Sequence, residues 1–129
     1  MPDPDPTNIN WFSTRVIPLF DDPDFSNLTE RWAANSNSNF SVVVVPAVDK
    51  DVVATVHFAN RFHIPFLAVN RGHGDAAGLS AVDGGISIYI RNLDSIEVAE
   101  DGQSASMGGG VFQDQVVRYL FERGKVASK

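Results

Sequence analysis

Arg71 and His73 are the residues whose setting points most directly to chemistry. They stand in Phe66-Leu-Ala-Val-Asn-Arg-Gly-His-Gly-Asp-Ala-Ala-Gly-Leu-Ser80, an apolar run that breaks into a glycine-rich loop. A guanidinium neutralises phosphate or carboxylate charge, and an imidazole titrates near neutrality. Gly72, Gly74 and Gly78 permit φ > 0 and close approach of a ligand to the main chain. Successive N–H groups in such a turn form a concave nest for an anion. The span from Asn70 to Gly85 also passes the roughly 12–15 residues beyond which a structureless loop is usually functional. An anion-binding loop is the sharp reading, and a bland surface loop is the alternative.

Other chemistries find less support. Gly72-x-Gly74-x-x-x-Gly78 nearly matches the dinucleotide fingerprint G-x-G-x-x-G, but it is one residue too long, and Gly84-Gly85 breaks the region where the helix should run. His57 and His63 are six residues apart, which is not a one-face metal spacing, and nothing completes a ligand set around His73-x-Asp75. No Ser/His/Asp arrangement or carboxylate pair has a recognisable spacing, so no catalytic residue is assigned. The absence of cysteine excludes disulfides, thiolate nucleophiles and thioether links. Net charge is −6 and the basic residues are scattered, which argues against nucleic acid. No apolar run approaches the roughly 20 residues that span a bilayer. The start, Met1-Pro-Asp-Pro-Asp-Pro6, lacks the basic and apolar regions of a signal peptide, so a cytoplasmic location is expected.

The loop must be held by its neighbours. Residues 1–8 read as a loose arm. Ile9, Phe12, Val16, Leu19 and Phe20 fall at near-helical spacing, although Pro18 argues against a regular helix there. A short helix is predicted from Phe25 to Ala34, with Ser26 as N-cap. Ser41-Val-Val-Val-Val45, closed by Pro46, predicts a strand buried on both faces. Asp49 reads as the N-cap of a helix to about Phe62, with a stripe of Val52, Val53, Val56, Ala59 and Asn60. Pro65–Val69 is the next strand, giving a βαβ unit. After the loop, strands are predicted at Ile86–Ile90, Ile96–Ala99 and Ser104–Met107, with a hairpin signal at Asp101-Gly102. Val111–Arg123 predicts a closing helix whose face is Val116, Val117, Leu120 and Phe121, with Gly124 just past its end. Trp11 and Trp32 read as core anchors, and Arg91 and Arg118 as solvated or salt-bridged. The fold class is α+β: a βαβ unit, the glycine loop, a small antiparallel sheet and a closing helix.

Taken in order, Arg31-Trp32, Val42–Val45 with Pro46, the Val52–Ala59 helix, Pro65–Val69, Arg71-Gly-His-Gly74, Gly78-Leu-Ser80, Gly84-Gly85, Ile86–Ile90, Leu93, Ile96 and Gly108-Gly-Gly110 form a series. That series resembles the N-terminal part of the FAD-binding domain of the FAD-linked oxidases, of the vanillyl-alcohol-oxidase and berberine-bridge-enzyme (PCMH) type. Asn70-Arg-Gly-His-Gly74 is similar to the fungal variant of the loop. The resemblance covers roughly residues 30 to 129, behind an N-terminal arm and helices over residues 1–29. It implies that FAD is the cofactor. It also implies that Asn70, Arg71, Gly72, His73, Gly74, Asp75, Gly78, Leu79 and Ser80 wrap the FAD pyrophosphate.

Two departures from the family pattern follow. Many members attach the flavin to a His four residues before a Gly-Leu-Ser. That place is Gly74 here, with His73 one residue early. Either the register shifts locally or the covalent link is absent. Family enzymes also continue into a further cofactor segment and a substrate domain, so a truncated FAD-dependent oxidoreductase is expected. The alternative is a cofactor-free remnant acting as an assembly module, or one half of a split flavoenzyme. Its uncovered edges would favour a second polypeptide or another copy of the chain.

Overall fold

In the computed structural model, the described residues are 14–19, 22–32, 38–74, 78–79 and 82–127. The elements are strand β1 (Arg15–Pro18), helix α1 (Phe25–Thr29), β2 (Val42–Val45), α2 (Asp49–Arg61), β3 (Phe66–Val69), β4 (Ile86–Tyr89), β5 (Ile96–Val98), β6 (Ala105–Met107) and α3 (Gln113–Phe121). Four strands form one sheet in the order β1-β2-β4-β3, and β5 and β6 form a separate antiparallel pair. Strands β2, β4 and β3 run parallel, and β1 is antiparallel to β2.

The valine run explains the centre of the sheet. Val43, Val44 and Val45 are all buried, Val43 completely. Alternation sends Val43 and Val45 to one side, with Ile17, Phe25, Phe40 and Val69, and Val44 to the other, with Ala59, Ile86 and Ile88. The strand is buried on both faces, as its composition predicts. Helix α2 covers the second side with Ala59, Val52 and Val56. Val53 and Asn60 fall outside that stripe and are exposed, while Asp51 and Thr55 are buried.

Asp51, not Asp49, satisfies the start of α2. Its Oδ2 accepts from the Ala47 N–H at 2.9 Å, the Val48 N–H at 3.0 Å and the Thr14 hydroxyl at 2.6 Å. Asp49 is the first helical residue and is exposed. The helical spacing read over residues 9–20 also gives way where that span is described, over residues 14–19; residues 9–13 and 20 lie outside the described residues. Residues 15–18 are extended and pair with β2 from Arg15↔Val45 to Pro18↔Val42. Pro18 has no N–H to give, but at the last position of an edge strand that loss is tolerated. Helix α1 stops at Thr29, and Glu30 turns out with ψ 134°. The chain then runs beside the glycine loop, where the Trp32 N–H donates to the Gly72 carbonyl at 3.3 Å. Trp32 is 76% exposed, so it is not a core anchor. Trp11 lies outside the described residues.

The βαβ unit is present, and β4 inserts between its two strands. The residues at 86–89 therefore extend the parallel sheet, and the antiparallel piece is β5 with β6. Their connection turns at Asp101-Gly102: the Gly102 N–H donates to Ala99 at 2.8 Å, and Gly102 has φ +68°. The closing helix ends before Gly124, at φ +66°. On α3 Leu120 is buried, but Val117 and Phe121 are exposed. None of the described helices is long and apolar enough to cross a membrane.

Candidate functional site

The glycine loop leaves the carboxyl end of β3, the end of a parallel sheet at which ligands characteristically bind. Asn70, the first loop residue, is tied down from three directions. Its Nδ2 donates to the Gly109 carbonyl at 3.0 Å and to that of Val111 at 3.3 Å. Its own carbonyl accepts from Arg91 Nε at 2.7 Å. Arg91 also lies over the Tyr89 ring, 4.9 Å from its centroid. It is thus a fastening for the loop, not a solvated charge.

Gly109 is available to Asn70 because the Gly108–Gly110 turn sits against the chain following β4. The Gly108 N–H donates to Ser95 and the Gly110 N–H to Leu93, each at 2.9 Å. A Cβ on Gly108 would strike the Leu93 carbonyl, and one on Gly110 the Ile90 carbonyl. Glycine at these two places is a requirement of backbone contact.

Within the loop, Gly72 takes φ +70° and is buried. Gly74 packs under Leu79, and its carbonyl accepts from Arg31 Nη2 at 2.7 Å. The Leu79 carbonyl accepts from the Ser38 hydroxyl. Asn70 to Gly74 and Leu79 come together, with Arg31 and the end of β3, around a cleft of about 300 Å³. Gly78 is exposed, and nothing lies within 4 Å of the place its Cβ would occupy. Asp75 and Ser80 lie outside the described residues.

Arg71 and His73 border a second, larger cleft of about 940 Å³, floored by Val111, Phe112, Val117 and Phe121 of the α3 region. The Arg71 guanidinium carbon sits 3.7 Å from the Phe112 centroid, and Nη2 is 3.6 Å from Asp114 Oδ1. The His73 ring meets Trp32 edge-on, with centroids 6.0 Å apart. Both partners of the Arg71–Asp114 pair are about half exposed or more. Arg71→Ala should therefore lower stability by less than about 1 kcal/mol, read from a urea or thermal unfolding curve. Arg31 is the residue that sequence reasoning left without a role. The sequence places it at the head of the family-like series but gives it no role, because its partner lies 43 positions away.

A family model described as an FAD binding domain matches residues 40–128. The chain belongs to that family. An FAD-linked oxidoreductase of Penicillium rubens is 38% identical over 102 residues, which cover 79% of this chain and 20% of that protein. Another, from Gibberella zeae, is 34% identical over 114 residues, 79% of this chain and 22% of the relative. The chain thus spans about a fifth of the length of the curated relatives it matches. Among solved structures, 6-hydroxy-D-nicotine oxidase from Arthrobacter nicotinovorans superposes with a TM-score of 0.75 at 26% identity, over 85% of this chain and 24% of that one. The expected resemblance to the FAD-linked oxidases holds, and FAD is the cofactor of the family.

The residues present fit its diphosphate. Gly72 adopts the left-handed conformation that an anion nest uses. Arg31 Nε is buried beside the loop without a hydrogen-bond partner.

Proposed function

We propose that this chain is the part of an FAD-linked oxidoreductase that grips the FAD diphosphate. It would do so through Asn70, Arg71, Gly72, His73, Gly74, Asp75, Gly78, Leu79 and Ser80, in a partial FAD-binding domain spanning residues 30–129 behind an N-terminal segment of residues 1–29. The observation that carries this reading is the glycine loop at the carboxyl end of β3, with Gly72 at φ +70° and a buried cation beside it. Bound FAD supplies the redox chemistry. The residues of this chain bind and orient it. Loop N–H groups and nearby guanidinium groups favour a doubly charged diphosphate, and the Asn70 and Arg91 bonds hold the loop's first residue in place.

Titration of the purified chain with FAD tests this. The expected result is saturable binding that quenches flavin fluorescence, and a stabilisation of about 2.7 kcal/mol at a hundredfold excess over Kd. Colourless protein whose unfolding curve ignores added FAD would overturn the reading. Acid precipitation then separates the two states of His73: flavin left in the pellet marks a covalent bond, and flavin in the supernatant marks its absence.

One observation favours a second reading, in which the chain is an assembly module or one half of a split enzyme. Val117 and Phe121 are exposed on α3, at 59% and 77%, and they border the larger cleft with Phe112. An apolar face of this kind favours a second polypeptide or a second copy. Light scattering on the purified chain decides between a monomer, which counts against this reading, and an assembly.

A further inference from the structure

We infer that Arg31, which lies outside the glycine loop and 43 positions before Gly74, turns that loop into an anion site: its guanidinium holds the Gly74 carbonyl and supplies a fixed positive charge to the cleft. The inference rests on the cofactor reading above and adds to it a positioning residue and the source of charge.

Arg31 is only 9% exposed. Its Nη2 is spent on the Gly74 carbonyl at 2.7 Å, while Nε is buried and unpartnered. Among the described residues no carboxylate forms an ion pair with it. A desolvated guanidinium in this state is a standing cost to stability. An anion entering the cleft would offset that cost, and in a low-dielectric wall the attraction is stronger than at a solvated surface. The side chain is aimed by its backbone. The Trp32 N–H bonds the Gly72 carbonyl, and a Cβ built on Gly72 would lie 3.4 Å from Arg31 Cα and 3.3 Å from the Glu30 carbonyl. The 30–32 segment and the 72–74 segment are therefore in main-chain contact, and Arg31 lines the smaller cleft with Gly72, His73, Gly74 and Leu79. Arg71, the cation that the sequence suggests, is instead engaged by Phe112 and Asp114 and is far more exposed.

The test compares the wild-type chain with Arg31→Gln and Arg31→Lys by calorimetric titration with FAD, ADP and riboflavin. Riboflavin keeps the flavin ring but has no phosphate. Arg31→Gln should weaken FAD and ADP by about 10- to 100-fold, the effect of losing a charged hydrogen-bonding partner, with riboflavin unchanged within about twofold. Arg31→Lys keeps the charge and should stay within about fivefold of wild type toward FAD. A thermal unfolding curve first checks that each variant folds. If Arg31→Gln does not, Arg31→Lys carries the comparison. Equal losses toward riboflavin and FAD in either variant mark a purely structural role and overturn the inference. Wild-type affinity for FAD in Arg31→Gln overturns it alone. A wild-type chain that binds neither FAD nor ADP overturns the cofactor reading, and this inference with it.

Discussion

Gly85→Ala should be among the most damaging single changes in the chain, lowering stability by about 3–5 kcal/mol in a urea titration. Gly85 stands where the long loop returns to the sheet. Its carbonyl accepts from the Ser41 N–H at 2.9 Å, and the next residue, Ile86, donates to the Pro65 carbonyl at 2.9 Å. That places the chain against the segment entering β3 just as β4 begins beside it, in the register Phe66↔Ile86. A Cβ on Gly85 would sit well inside 3.0 Å of the Pro65 carbonyl oxygen, and 2.7 Å from Val82 Cγ1. The valine can rotate, but the carbonyl is main chain and can yield only if the two strands part. The damage should reach the loop as well, so FAD binding should fall with stability. Gly78→Ala is the control: nothing lies within 4 Å of its Cβ position, and the change should stay within about 0.5 kcal/mol of wild type. An unaltered unfolding midpoint for Gly85→Ala would contradict the packing described.

Asp51→Ala should cost about 3–4 kcal/mol. Asp51 is 2% exposed, and one carboxylate oxygen accepts from Thr14, Ala47 and Val48. Removing it leaves three donors without their acceptor, of which the Thr14 hydroxyl is buried and the two N–H groups are partly so. The orphaned groups have different owners. The two backbone N–H groups belong to the start of α2, and Thr14 immediately precedes β1, the edge strand of the four-stranded sheet. The loss should therefore loosen two elements, seen as faster amide exchange at Ala47 and Val48 and in the residues of β1. Asp49→Ala removes a carboxylate from the same helical turn, but that side chain is exposed and should matter by less than about 0.5 kcal/mol. A ranking with Asp49 above Asp51 would sink this account of the helix start.

Much of this molecule is legible along the chain because the relevant forces act locally. Four valines in succession can satisfy β geometry and burial on both faces, so β2 is readable from composition. The apolar stripe of α2, the Asp101-Gly102 turn and Gly124 beyond α3 are readable for the same reason: each is set by residues within one turn of one another. The glycine loop with Arg71 and His73 also stands out, and the order of these parts identifies the family over residues 40–128.

Tertiary structure decided the rest. Residues 15–18 have near-helical spacing yet form a strand, because the exposed edge of β2 offers hydrogen bonds that outweigh local preference. The neighbouring carboxylates Asp49 and Asp51 are equivalent on paper, and the packing that brings the Thr14 hydroxyl, 37 residues away, to Asp51 is not readable from the chain. Gly85, Gly108 and Gly110 read as ordinary turn residues until the carbonyls of Pro65, Leu93 and Ile90 are seen against them. The sequence by itself determined that there is a glycine-rich loop carrying Arg71 and His73 and which cofactor family the chain belongs to. The tertiary structure decided which cation stands at that loop, since the contact between Arg31 and Gly74 depends on main-chain packing between distant segments, which leaves no periodicity to read.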